Sequence, residues 1–124
     1  MQLQNIMKTD IVITHPDESA EGAWELMQMK RCHHLLVVGD AGLEGLISER
    51  DLGGKKGEEL RKDRKVSDLM TRDVITATPS TTLHEAADMM RGHTIGSLPI
   101  MEDGKLCGII TVYDMLKILA GSRE

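Results

Sequence analysis

The chain has 124 residues, a formal net charge of -5 and 40% hydrophobic residues. That apolar content can fill a core, the length suffices for one module, and the negative charge argues against nonspecific binding to nucleic acid or anionic membrane. One Trp, one Tyr and no Phe leave little on which bases could stack.

The opening residues lack the apolar run of a signal peptide, and no stretch approaches membrane-spanning length. The expected location is the cytoplasm, with Cys32 and Cys107 reduced and buried as small hydrophobes. Asp10 to Thr14 reads as a short strand stopped at Pro16, and Ser19 as the N-cap of a helix bearing Ala23, Leu26, Met27 and Lys30. Two strands follow, Leu35 to Val38 and Leu43 to Ile47, joined by the turn residues from Gly39 to Gly42. A second helix is expected after Ser48. The run from Gly53 to Lys65 mixes Gly with both signs of charge and reads as a solvated linker.

The same order then returns. Asp73 to Ala77 is a strand ending before Pro79, and Thr82-Leu83-His84-Glu85 is a capping box opening a helix with Ala86, Met89, Met90 and His93. Leu98 to Met101 and Leu106 to Ile110 are strands joined through Asp103-Gly104, a strong hairpin signal. Val112 to Ala120 is the closing helix, with Gly121 as its cap.

This is an internal repeat without a gap. Met7 falls on Met70, Asp10 on Asp73, Pro16 on Pro79, Met27 on Met90, Gly45 on Gly108, Ile47 on Ile110 and Asp51 on Asp114, always 63 positions apart. One supersecondary unit has been used twice. We place the repeats at 6–52 and 67–120 of a single 1–124 module, with 53–66 as linker. Neither copy is long enough to bury a good core alone, so the α+β units are expected to pack through their sheets about a pseudo-twofold axis.

The strongest local signal is Gly45-Leu46-Ile47-Ser48-Glu49-Arg50-Asp51, repeated as Gly108-Ile109-Ile110-Thr111-Val112-Tyr113-Asp114. A strand ends at a hydroxyl residue, with a carboxylate three positions on. Ser/Thr-x-x-Asp is itself a capping box, and capping alone would explain the spacing. The same geometry also offers a phosphate free N–H groups at a helix start, while the carboxylate can accept two hydrogen bonds from a ribose diol. Cys32-His33-His34 does not read as a metal site, because adjacent strand residues point to opposite faces. No general base stands beside a nucleophile, so no catalysis is expected.

The doubled unit, the two Gly-h-h-Ser/Thr-x-x-Asp segments and Leu98-Pro99-Ile100 together resemble a cystathionine-β-synthase (CBS) domain pair, or Bateman module, over nearly the whole chain. The resemblance implies a stand-alone, non-catalytic regulatory module and energy sensor. It would need no cofactor, bind AMP, ADP, ATP, S-adenosylmethionine or NAD as a regulatory ligand, and signal to a protein partner as a homodimer. The methionines Met27, Met89, Met90 and Met115 are expected to supply part of the dimer surface. The rival expectation is an interaction module with empty clefts.

Two clefts are implied. One takes Ser48 and Asp51 for phosphate and ribose, His34 and Arg50 beside the phosphate, and Ser67, Arg72, Ile95 and Gly96 from the opposite repeat. The other takes Thr111 and Asp114, with Gln4, Thr9, Cys32 and His33 from the opposite repeat. Ser97 replaces His34 there, so phosphorylated ligands are expected to prefer the Asp51 cleft.

Overall fold

A computed structural model describes residues 1–121. Among these residues five strands and five α-helices make an α+β fold, and the chain divides into two compact units. The units do not follow the repeats from end to end. One joins Met1–Asp10 to the chain from Ile75 onward, and the other is Ile11–Val74. The residues that open each repeat therefore belong with the other repeat's unit.

In the Ile11–Val74 unit, strand β1 (Ile13–Thr14) runs parallel to β2 (His34–Gly39), which pairs antiparallel with β3 (Gly42–Ser48). Helix α1 (Ala20–Lys30) begins at Ser19, whose Oγ accepts from the Gly22 N–H at 2.9 Å, as the sequence predicts. Its apolar face, Ala20, Ala23 and Met27, packs on Leu35, Val37 and Ile47 of the sheet, with Leu52, Val66 and Met70 completing the core.

In the other unit β4 (Ser97–Glu102) and β5 (Lys105–Thr111) form the hairpin, turning through Asp103 and Gly104 with φ of 52° and 77°. Helix α4 (Leu83–His93) carries the full capping box: Thr82 Oγ1 accepts from the Glu85 N–H, and the Glu85 carboxylate accepts from the Thr82 N–H. Ala86 and Met90 pack on Leu98, Ile100 and Ile110, and helix α5 (Val112–Gly121) adds Met115. Gly121, expected as the cap, is the last described residue of that helix.

Four expectations need correction. The strand over Asp73 to Ala77 shrinks to a single parallel bridge, Ala77 with Ile100, the counterpart of the longer β1–β2 pairing. The helix expected after Ser48 stops after one turn, because Gly53 and Gly54 both take positive φ, 86° and 68°. Met27, Met90 and Met115 are core residues and Met89 packs beside them, so they are not free to build an interface. Cys32 and Cys107 are free thiols as expected, but half-buried rather than buried.

The connector is also more than a solvated linker. It folds into a 3₁₀ turn (Gly54–Lys56) and two short helices, α2 (Glu58–Arg61) and α3 (Val66–Leu69). Most of its charges face solvent, but Arg61 is buried. Its Nε donates to Glu21 at 2.9 Å, and Nη1 donates to the carbonyls of Leu52 and Gly54 at 2.8 and 2.7 Å. The guanidinium lies 4.3 Å from the Trp24 ring centre. One side chain thus ties the connector to the start of α1 and the end of the turn after β3.

Candidate functional site

Each Ser/Thr-x-x-Asp segment closes on itself. The Ser48 N–H donates to Asp51 Oδ2 at 3.0 Å, and the Asp51 N–H donates to Ser48 Oγ at 3.1 Å. At the second turn the Thr111 N–H meets Asp114 Oδ2 at 2.9 Å, and the Asp114 N–H meets Thr111 Oγ1 at 3.1 Å. The capping role is real at both places. It is not the whole capacity of either turn, because each hydroxyl only accepts in this contact and keeps its proton to donate. Asp51 Oδ1 makes no hydrogen bond or ion pair among the described residues, so that carboxylate retains acceptor capacity.

The glycines before these turns have a definite task. Beside β3, Leu46 exchanges backbone hydrogen bonds with Thr71 at 2.9 and 2.8 Å; beside β5, Ile109 does so with Lys8, both at 3.0 Å. A Cβ at Gly45 would lie 2.8 Å from the Thr71 oxygen, and one at Gly108 would lie 2.7 Å from that of Lys8. Only glycine lets the opening segment of a repeat pass so close to the strand. Next to each glycine a bulge leaves Glu44 or Cys107 without a cross-strand partner.

The remaining predicted residues sort by unit. Ser48, Asp51, His34, Arg50, Ser67, Arg72, Cys32 and His33 lie in the Ile11–Val74 unit, and Thr111, Asp114, Gln4, Thr9, Ile95 and Gly96 in the other. His34 faces Ser48 in the β2–β3 register and is half-buried. Arg50 is exposed, and Arg72 donates to the Ser67 carbonyl at 2.9 Å. His33 is held at 2.7 Å by Glu49. Burial pushes the Cys32 thiol above its usual range, which makes it a poor nucleophile. Gln4 and Thr9 are exposed, as is Gly96, whose carbonyl accepts the first amide of α5, Val112 N–H, at 2.9 Å.

Sequence reasoning missed Lys8. Its Nζ stands 3.2 Å from Asp114 Oδ1, with Asp114 buried and the lysine mostly exposed. The repeat itself held a signal, since the position matching Lys8 is Thr71, so a cation stands at only one of two equivalent places.

Burial lowers the His34 pKa below its ordinary 6.5, helped by neighbouring His33 and opposed by Asp51 and Glu49. The folded state therefore favours neutral imidazole. Stability from this group is fully present above pH 6.5 and is lost as pH falls from there through the lowered value. Melting curves from pH 7.5 to 5 should show a smaller acid loss in His34→Gln than in the wild type. Parallel curves for the two proteins would contradict that environment.

Among the described residues no helix is long and apolar enough to cross a membrane. The family model for the CBS domain matches residues 3–52 and 66–121. Inosine-5'-monophosphate dehydrogenase of Thermoplasma acidophilum is 34% identical over 114 residues, 91% of this chain but 22% of that enzyme. The chain thus spans about a fifth of such relatives. The CBS domain-containing protein YhcV of Bacillus subtilis is 25% identical over 91% of this chain and 81% of its own length. Among solved structures, a putative signal-transduction protein with CBS domains from Burkholderia ambifaria superposes with a TM-score of 0.89 at 26% identity, covering 100% of this chain and 97% of that one. CBSX2 in complex with AMP gives 0.81 at 28% identity, covering 97% and 96%.

Proposed function

We propose, from the premise that this chain belongs to the CBS domain family and carries two copies in tandem, that it is a regulatory module without catalysis of its own. It binds an adenosine-containing ligand at the Ser48–Asp51 and Thr111–Asp114 turns and passes its occupancy to a partner protein. The observation carrying this reading is the spare capacity of the turns: a hydroxyl proton at each and an Asp51 Oδ1 without a partner among the described residues. A ribose diol needs an acceptor of that kind, and a phosphate needs donors. The similarity to CBSX2, whose structure holds AMP, supports the same class of ligand.

A thermal-shift panel of AMP, ADP, ATP, S-adenosylmethionine and NAD tests the proposal. At least one should raise the melting temperature saturably, and no response to any of them at millimolar concentration counts against it.

The module is further proposed to work as a homodimer. With the methionines committed to the core, the apolar surface in question is on α5, where Val112, Tyr113 and Leu116 are 41%, 67% and 57% exposed. Apolar residues gathered at helical spacing mark an interface, and twofold pairing is the commonest closed assembly. Light scattering at about 100 μM should give twice 13.7 kDa; Leu116→Glu should give the monomer mass. A wild-type monomer would dismiss the dimer.

A further inference from the structure

We propose that Lys8 is the specificity-determining residue that makes the Thr111–Asp114 turn the phosphate-accepting site of this chain. The inference rests on the adenosine-ligand reading and deepens it.

Three features converge on this turn and are missing from its twin. The first is charge. Lys8 is fixed beside β5 by two backbone hydrogen bonds to Ile109, and its ammonium sits 3.2 Å from Asp114 Oδ1. It cancels the carboxylate charge that would repel a phosphate, and it has further N–H donors to offer. At the Ser48–Asp51 turn the equivalent position is Thr71, and no described cation pairs with Asp51.

The second feature is an unmet hydroxyl. Ser97 is 2% exposed, and its Oγ is the only buried side-chain polar atom without a hydrogen-bond partner among the described residues. Ser97 stands opposite Thr111 in the β4–β5 register, so the two side chains share a face of the hairpin. A ligand oxygen brought to Thr111 supplies the acceptor that Ser97 lacks. Its counterpart is His34, a bulkier group that the fold prefers neutral.

The third is the helix. Thr111 leads into the ten residues of α5, whose dipole favours an anion at its start, while the Val112 and Asp114 amides are already taken by the Gly96 carbonyl and Thr111 Oγ1. Ser48 leads into a single turn ended by Gly53 and Gly54. The ranking expected from the sequence, with His34 and Arg50 drawing phosphate to the Asp51 turn, is thereby reversed.

Calorimetric titrations of AMP and of adenosine into the full chain decide it, using wild type, Lys8→Met, Asp51→Asn and Asp114→Asn. Methionine keeps the aliphatic stem and drops the charge. Lys8→Met should weaken AMP binding about ten- to a hundredfold, the range for a charge-assisted contact, and leave adenosine within about threefold. Asp114→Asn should cost more AMP affinity than Asp51→Asn. AMP binding that survives Lys8→Met unchanged, or tightens because the lysine was blocking Asp114, overturns the role of Lys8 alone. Failure of the wild type to bind either compound removes the adenosine reading and this inference with it.

Discussion

Replacing Arg61 with alanine is expected to lower the melting temperature by about 10 °C. Arg61 is 4% exposed, and its guanidinium donates to the Leu52 and Gly54 carbonyls as well as to Glu21. Alanine leaves the buried Leu52 carbonyl without a donor and the Gly54 carbonyl with only the Gly57 N–H, and it removes the contact with the Trp24 ring. Such losses at a buried charged group sum to roughly 3 kcal/mol, and each kcal/mol is worth about 4 °C in a chain of this size. Glu21 is half-exposed, so Glu21→Gln should cost no more than about 1 kcal/mol. Equal effects of the two substitutions would mean that the ion pair, rather than the carbonyl contacts, holds the connector in place.

The second large effect is on ligand-linked stability. A ligand at a hundred times its dissociation constant adds about 2.7 kcal/mol to the folded state, which is about 10 °C by the same scaling. The double variant Asp51→Asn, Asp114→Asn should lose that gain. Asparagine still presents an oxygen to the Ser48 and Thr111 N–H groups, so the turns and the fold should persist. A double variant that melts like the wild type without ligand and also responds to ligand like the wild type would place binding elsewhere.

The parts of this fold that were legible are those fixed by local chemistry. Ser19 and Thr82 cap the helices because an oxygen at that spacing meets a free amide wherever it occurs. Asp103-Gly104 turns the hairpin because both residues tolerate positive φ. The repeat carried the architecture, since a unit used twice must bury the same faces twice. Local chemistry also misled. Ser48-x-x-Asp51 opens a helix on paper, yet Gly53 and Gly54 lie just beyond it and end the turn before a second one forms.

What stayed hidden depends on residues distant in sequence. Lys8 meets Asp114 because the opening segment of the first repeat pairs with β5 of the second, and nothing near Lys8 announces that. The nearest clue was Gly108, a glycine in a strand where a neighbouring backbone must pass closely. Arg61 was masked by its surroundings, a run of lysines, arginines and glutamates in which its burial has no local signature. The methionines misled in a different way, since a helical stripe of apolar residues looks the same whether the sheet of its own unit or a second copy covers it.

The most direct test of the central claim is a calorimetric titration of AMP into the wild-type chain beside the Asp51→Asn, Asp114→Asn variant. Saturable heat is expected with the wild type and none with the variant. No heat from the wild type at millimolar AMP, or equal heat from both proteins, would contradict it.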